Sequence, residues 1–469
     1  MFKVFCNFAA VFMKYNTFTL SNGLRVIHLP STSPVVYCGY EIAAGTRHEM
    51  PGDEGLAHFV EHATFKGTKR RSSLQILNTL ERVGGDLNAF TVKEDTVYYA
   101  AILKEHLAKA VDVLTDIVFH STYPQTEIDK EVEVICDEIE SYNDSPAELI
   151  YDDFENILFE GHPLGHNILG SADRVRQFKT ADALRFTRKY YTPMNSVFFA
   201  YGDVDFGNLV KLLEKQALPQ PLPTGLGETH PQFLPKGTTH PQSLPRGTTH
   251  PQSLPRGTTH PQSLPRGTTH PQSLPKGGKS DVISGSASNF IIREKQTHQA
   301  HVMIGNHAYD IHHPLRIPLY LLNNILGGPG MNARLNISLR ERNGLVYTVD
   351  SSMVSYSDTG LWAVYFGCDP HDVKRCLRLV RHELDKIIEK PLTDSQLKAA
   401  KRQLKGQIGI ACDNREQFAL DFGKSFLHYG WEKDITSLYS QIDEVTAAQI
   451  QQVAQELMSE DRLTTLIYR

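Results

Sequence analysis

Two histidines and a glutamate in the segment from Gly55 to Thr68 have the residue types and the spacing of a metal site. His58, Glu61 and His62 stand at positions i, i+3 and i+4, so on a helix their side chains share one face. Two neutral imidazoles one turn apart can share a tetrahedral zinc ion, and a carboxylate beside them can take a proton from a water molecule that the metal activates. The alternative is a polar helix face with two solvated histidines, which the pattern alone leaves open.

A strongly acidic helix predicted at 125–143 is the second segment with the residue types for chemistry. Glu131 and Glu138 are seven residues apart, so they share one face of that helix, two turns from one another. A solvated surface explains most of the other acidic side chains. The shared face distinguishes this pair from the rest of the helix.

Strand and helix patterns indicate the fold that positions these segments. The Asn22-Gly23 pair between two short apolar runs predicts a β-hairpin, and further strands are predicted at 35–44 and within 86–100. Because strands alternate with helices, the predicted class is α+β, with helices packed on a mostly antiparallel sheet. A similar order of elements resumes after residue 287 without metal ligands, which predicts two homologous domains.

A block of decapeptide repeats separates the two predicted domains. Copies of His-Pro-Gln-Ser-Leu-Pro-Arg-Gly-Thr-Thr begin at His240, His250 and His260. With two prolines and a glycine in each copy, the block cannot bury enough apolar surface to offset the entropy of ordering. A plain spacer is therefore predicted, and weak metal binding by its histidines is the alternative. The predicted divisions are a leader or misassigned start at 1–14, a metal-binding domain at 15–217, the linker at 218–286, and the second domain at 287–469.

Composition argues against two classes of partner. A net charge of -5 gives no reason to expect nucleic acid, and no apolar run approaches the roughly 18 residues that span a bilayer.

Six cysteines are scattered without a Cys-x-x-Cys pair, which indicates free thiols in a reducing compartment. We therefore predict a cytoplasmic protein, with secretion to the periplasm or beyond as the alternative.

The motifs together resemble the pitrilysin and insulinase family of zinc peptidases, and most closely the bacterial relatives of the mitochondrial processing peptidase. His58 to His62 has the inverted His-x-x-Glu-His order of that family. The context of the family's third zinc ligand is matched by Val134-Ile135-Cys136-Asp137-Glu138-Ile139. The resemblance covers roughly 15–217 and 287–469, and it implies the two-domain fold of the processing peptidases.

The resemblance also implies roles at the metal. His58, His62 and Glu138 would hold one zinc ion per chain and leave a position open for water. Glu61 would be the general base that takes the water proton and passes it to the leaving amine. Glu131 would orient a histidine from outside the ligand set.

Further matches concern the substrate. A strand that holds substrate backbone by strand addition is matched by Asn88, Ala89, Phe90 and Thr91. Arg340 and Tyr347 match donors by which the second domain reaches the substrate. Without the resemblance, these two residues would be interpreted as a surface salt bridge and a core phenol. Two loop motifs also fit the family, namely His162-Pro163-Leu164-Gly165 and Ile168-Leu169-Gly170.

The resemblance implies a zinc metalloendopeptidase that acts on extended peptides or unfolded segments enclosed between its two halves. Family chains of this length pair with a second copy or with a non-catalytic sister chain, so a homodimer or such a heterodimer is expected. The main alternative is a non-catalytic peptide-binding or assembly subunit, although members of that kind usually lack part of the His-x-x-Glu-His set. A metal-dependent hydrolase of another substrate class is the second alternative, and the absence of nucleotide, phosphate or sugar motifs argues against it.

Overall fold

The computed structural model describes residues 14–216, 218, 289–295 and 297–469. These residues divide into two units. The first unit comprises the described residues up to 218 together with Lys401–Glu444, and the second comprises those from 289 to Ala400 together with Val445–Arg469. The predicted leader, apart from its last residue, and the predicted repeat linker, apart from its first, lie outside the described residues.

The described strands of the first unit form a six-stranded sheet with the order β1-β2-β6-β3-β5-β4. Strands β2 and β6 run parallel, and the other neighbouring pairs run antiparallel. Gly23, with a φ of 90°, lies in the predicted turn between β1 and β2. The strands are β1 Asn16–Thr19, β2 Arg25–Pro30, β3 Val35–Ile42, β4 Asp86–Thr91, β5 Thr96–Leu103 and β6 Ser196–Gly202.

Helices cover both faces of this sheet. One face packs against a core that includes Tyr40, Phe59 and Phe198. The helices before the repeat block are α1 Leu56–Thr64, α2 Ser73–Glu81, α3 Leu107–His120, α4 Gln125–Asn143, α5 Pro146–Leu158, α6 Ala172–Val175, α7 Thr180–Tyr190 and α8 Phe206–Glu214. The later helices are α9 Arg316–Gly327, α10 Val373–Glu389, α11 Asp394–Ala411, α12 Arg415–Tyr429, α13 Ile435–Glu444 and α14 Ala447–Leu457.

The other face of the first sheet is covered by α12, a helix from the far end of the chain. Phe418 and Phe422 of α12 pack with Ile27 and Phe199 of the sheet in a second apolar core. Segment 401–444 therefore belongs to the first unit, whereas the sequence prediction placed the whole of 287–469 in the second domain. The physical reason is that strand β6 is apolar and buried on both faces, so its second face needs a cover.

The described strands of the second unit form a five-stranded sheet with the order β7-β11-β8-β10-β9. Strands β7 and β11 run parallel and the rest antiparallel, so apart from the added β1 the two sheets have the same order and sense. This repetition confirms the predicted fold of two related α+β domains. The strands are β7 Asn289–Arg293, β8 Ala300–Ala308, β9 Val346–Ser355, β10 Gly360–Cys368 and β11 Thr464–Tyr468.

The cysteines and the membrane are also the subject of predictions from the sequence. The five cysteines in the described chain are free thiols, as predicted. Within the same residues, no helix is both long enough and apolar enough to cross a membrane.

Candidate metal centre

Helix α1 presents the His-x-x-Glu-His residues because its apolar side chains fix it against the sheet. Leu56 and Phe59 are fully buried in the first core. His58 and His62 contact Glu138 of α4, and Glu61 contacts Thr91 of β4. The face predicted from the spacing is therefore directed at the acidic helix and the end of β4, not at solvent.

The three residues predicted to bind zinc come together across α1 and α4. The Nε2 atom of His62 lies 3.3 Å from Oε2 of Glu138, and Nε2 of His58 lies 3.9 Å from the same oxygen. All three potential ligand atoms lie within 4.8 Å of one another. Tetrahedral zinc with bonds of about 2.0–2.1 Å separates its ligands by roughly 3.4 Å, so this spacing needs little adjustment to hold the ion.

Glu131 contacts the opposite side of the His62 ring. The Nδ1 atom of His62 lies 2.9 Å from Oε1 of Glu131, and Nζ of Lys66 lies 2.5 Å from Oε2 of the same carboxylate. When the His62 ring is neutral, a proton on Nδ1 that is donated to Glu131 leaves the lone pair on Nε2, the atom that faces Glu138. Glu131 is thus placed to fix the ring and the tautomer that a metal requires.

The protonation of His58 fits a metal ligand. Burial, followed by the neighbouring His62, lowers the pKa of His58 to about 3 against the opposing effect of Glu138. The ring is therefore neutral near pH 7, which is the form that binds a metal. Its Nδ1 atom is buried and has no hydrogen-bond partner in the described chain. The imidazole therefore gains little stabilisation from hydrogen bonds within the protein alone.

The pKa of His62 is shifted in the opposite direction, because, despite its burial, positive charge on this ring is stabilised by the carboxylates on either side of it. Burial lowers the pKa of His62, but the contacts with Glu131 and Glu138 outweigh it and raise the value to about 10. In the metal-free protein a proton on this ring balances the two carboxylates. A cation bound between His58, His62 and Glu138 would take over that role, and the mixed nitrogen and oxygen donors suit zinc.

Glu61 is buried beside this cluster but is not one of its converging ligands. Its side chain accepts a hydrogen bond at Oε2 from the Thr91 hydroxyl, at 2.9 Å. Burial raises the pKa of Glu61, and the charge of His62 and the Thr91 hydrogen bond partly offset this effect. A carboxyl group with a raised pKa is a better proton acceptor and donor near neutrality.

The predicted substrate strand coincides with β4, which contains Asn88 to Thr91 at one edge of the first sheet. Strand β4 pairs with β5 on one side, and no other strand of the described chain pairs with it. Edge strands offer unpaired backbone donors and acceptors to another extended chain. Since Thr91 contacts Glu61, this open edge runs past the candidate metal centre.

Arg340 and Tyr347 are neighbours within the second unit. Arg340 lies in a π-helical segment, Asn336–Glu341, and Tyr347 lies in β9. The guanidinium carbon is 5.5 Å from the centre of the Tyr347 ring, and Tyr347 is 80% exposed. The interpretation of Tyr347 as a core phenol is therefore wrong, and a role for the pair toward substrate stays a prediction.

Two contacts of the centre do not follow from the sequence predictions. Lys66 follows His62 by four residues, so helical spacing could have indicated that it shares a partner with that histidine. Thr91 was predicted to bind substrate through its backbone, but its hydroxyl contact with Glu61 joins residues 30 positions apart. No local pattern indicates a pairing of that kind.

The comparisons with known sequences identify relatives along most of the chain. The family model described as Insulinase (Peptidase family M16) matches residues 25–172, and the one described as Peptidase M16 inactive domain matches 177–404. An uncharacterized zinc protease of Streptomyces coelicolor is 32% identical, over 94% of this chain and 86% of its own. One of Bacillus subtilis is 29% identical, over 96% and 97%. The mitochondrial-processing peptidase subunit beta of Bos taurus is 29% identical, over 92% and 80%.

Solved structures share the fold. A protease from Helicobacter pylori gives a TM-score of 0.80 at 19% identity, over 97% of this chain and all of that one. A peptidase M16 inactive domain from Pseudomonas fluorescens gives 0.75 at 18% identity, over 97% and 98%. With relatives named as zinc proteases and family models that match both domains, this chain belongs to the insulinase family of zinc peptidases, peptidase family M16.

Proposed function

We propose that this chain is a zinc metalloendopeptidase that hydrolyses peptide bonds within extended peptides or unfolded segments. The observation that supports this most strongly is the convergence of His58, His62 and Glu138 beside the buried carboxylate of Glu61. When bound, zinc supplies Lewis acidity that polarises the peptide carbonyl and lowers the pKa of water. The remaining steps fall to side chains of the protein.

Glu61 moves the proton. With Oε2 held by the Thr91 hydroxyl, the other oxygen, Oε1, accepts a proton from the attacking water and later delivers it to the nitrogen of the leaving amine. His62 keeps a fixed orientation through its hydrogen bond to Glu131. A raised pKa supports both halves of this transfer, because Glu61 must gain and then lose the same proton.

Strand β4 binds the substrate as an added strand. Backbone hydrogen bonds to an edge strand require an extended peptide and are largely independent of side-chain identity. Segments that a folded protein holds in helices or inside a sheet cannot bind in this way, because their backbone groups are already paired. Arg340 and Tyr347 belong to the same proposal as donors that orient the substrate and stabilise the tetrahedral oxyanion, supported by their matching motif and their exposure.

We also propose that the working form is a dimer, either of two copies or with a non-catalytic sister chain. The support is that one relative is named as the beta subunit of a processing peptidase.

A non-catalytic subunit is the alternative function, and the match of 177–404 to a model described as an inactive domain favours it for that part of the chain. The complete set of metal and base residues in the first unit favours catalysis.

The test combines metal analysis with cleavage of a quenched fluorescent peptide library by wild type, Glu61→Gln and Glu133→Gln. Glu133 is an exposed residue of α4 and serves as the matched control. We expect about one zinc per chain in all three proteins, full cleavage by the control, and a loss of roughly 100- to 10,000-fold in Glu61→Gln. Equal activity of Glu61→Gln and wild type would refute the assigned base. Zinc binding by a wild type that cleaves nothing would favour the non-catalytic subunit.

A further inference from the structure

The start of α1 is held by a carboxylate that lies outside the His-x-x-Glu-His motif. Glu49 accepts hydrogen bonds from the backbone N–H groups of Gly55, at 3.0 Å, and Ala57, at 2.7 Å. The first N–H groups of a helix lack partners within the helix and are normally satisfied by the residue just before it. Gly55 occupies that position with no side chain to offer, so Glu49 takes over the capping from six residues upstream.

Glu49 is itself fixed by the loop at 161–170. Its side chain is 1% exposed, and its Oε2 atom lies 2.9 Å from Nε2 of His166. The same loop closes on the helix start at Gly170, where an added Cβ would lie 2.3 Å from the carbonyl oxygen of Glu54. Of the two loop motifs noted in the sequence, Ile168-Leu169-Gly170 therefore sits against the beginning of the metal-binding helix.

The loop also holds the turn that follows the substrate strand. Lys93 lies two residues after the end of β4 and is buried. Its ammonium group donates to the carbonyl oxygen of Leu164, at 3.0 Å, and to that of His166. On its other side, the backbone carbonyl of Lys93 accepts a hydrogen bond from the N–H of Arg47, at 2.8 Å. One loop thus contacts both the metal-binding helix and the turn that ends the strand beside it.

We propose that Glu49 is a positioning residue of the zinc site, and that Glu49, Lys93, His166 and Gly170 form a clasp that sets helix α1 against strand β4. His58 follows Ala57 directly, so the point at which Glu49 fixes the helix start also fixes His58 relative to Glu138 on α4. Displacements of about 1 Å at reacting groups can reduce rates by about 100-fold. This inference deepens the proposed function, because it concerns the same site.

Two glycines of the loop provide a matched pair of variants. Gly170 and Gly161 both have positive φ, 68° and 78°, but a Cβ at Gly161 would meet nothing within 4 Å. Gly170→Ala therefore pushes on the helix start, whereas Gly161→Ala introduces only the backbone strain that both share. Glu49→Gln keeps the size of the side chain, but it removes the charge and replaces one of the two acceptor oxygens by an amide NH2 group, which cannot accept a hydrogen bond from the helix start. Lys93→Met releases the strand side of the clasp.

The experiment measures zinc affinity of the full chain by competition with a chromophoric chelator, and then kcat and KM on a quenched peptide. We expect Glu49→Gln and Gly170→Ala to raise the zinc Kd by about tenfold or more and to lower kcat. Gly161→Ala should stay within about twofold of wild type in both. Lys93→Met should raise KM for the peptide by a larger factor than it raises the zinc Kd. General destabilisation of the fold would not affect KM more than the zinc Kd.

Unchanged zinc affinity in both Glu49→Gln and Gly170→Ala, with folding verified by circular dichroism, would overturn the proposal. An equal loss in Gly161→Ala would also overturn it, because strain alone would then account for the effect. If Glu49→Gln does not fold, Gly170→Ala against Gly161→Ala decides the question. Zinc affinity is measured without peptide, so a wild type that binds zinc but cleaves nothing would refute the proposed function and leave this inference standing.

Discussion

The hydrogen bond between Thr91 and Glu61 can be tested almost without changing the shape of the site. Thr91→Val replaces the hydroxyl by a methyl group of similar size and leaves the Oε2 atom of Glu61 buried without the donor that now lies at 2.9 Å. Hydrogen bonds to charged groups contribute about 1.5–3 kcal/mol. We expect the loss of this hydrogen bond to raise the activation free energy by the same amount, because Glu61 is then no longer held in place. At about 1.36 kcal/mol per factor of ten, kcat should fall by about 10- to 150-fold.

The assay is hydrolysis of a quenched peptide by zinc-loaded protein, with kcat and KM measured separately. Thr91→Ser is the matched control, since it keeps the hydroxyl and should retain most of the activity. KM should change little in either variant because the backbone of β4 is unaltered, and the zinc content should stay the same. Full kcat in Thr91→Val would show that the hydroxyl does not hold the base, and an equal loss in Thr91→Ser would point to packing instead.

Three further predictions concern the metal, the second core and a buried ion pair. Glu131→Gln should weaken zinc binding by about 10- to 100-fold, measured by chelator competition, and unchanged affinity would contradict an orienting role. Phe422→Ala should destabilise the first unit by about 3–5 kcal/mol, and hydrogen exchange should accelerate in β6 and not in β8 or β10. Asp95 is buried against Lys424 and His428. Burial raises the pKa of Asp95, but the contacts with His428 and Lys424 outweigh it and lower that pKa. A lowered pKa stabilises the fold above the ordinary pKa of about 3.9, so urea unfolding should show Asp95→Asn to be less stable than wild type by about 3–5 kcal/mol at pH 7. The difference should shrink as the pH falls below about 4, and an equal difference at pH 3 would contradict the argument.

The local parts of the site could be predicted from the sequence. His58, Glu61 and His62 form a pattern within one helical turn, and a helix is a geometry that spacing alone defines. Glu138 lies on a different helix, and no rule of spacing joins it to His62. Its assignment depended on resemblance to a family, and the structure then placed it 3.3 Å from the ring.

The contacts that could not be predicted are those that join distant segments. The apolar residues Phe418 and Phe422 are four apart, which indicates a buried helix face, but the pattern does not say which sheet that face covers. Glu49 stands in an acidic loop before α1 and has the pattern of a solvated residue. Its role depends on three backbone or side-chain partners that the fold brings within hydrogen-bond distance.

The packing of α12 on the first sheet means that the order of the chain and the order of its units differ. A chain cut between residues 218 and 289 would leave α12 on the C-terminal piece, while the apolar face that α12 covers, with Ile27 and Phe199, would be on the N-terminal piece. The two pieces would therefore remain associated after the cut. Expressed alone, the N-terminal piece would expose that face and aggregate. Gains or losses of decapeptide copies alter the covalent connection but not the apolar contact between α12 and the first sheet.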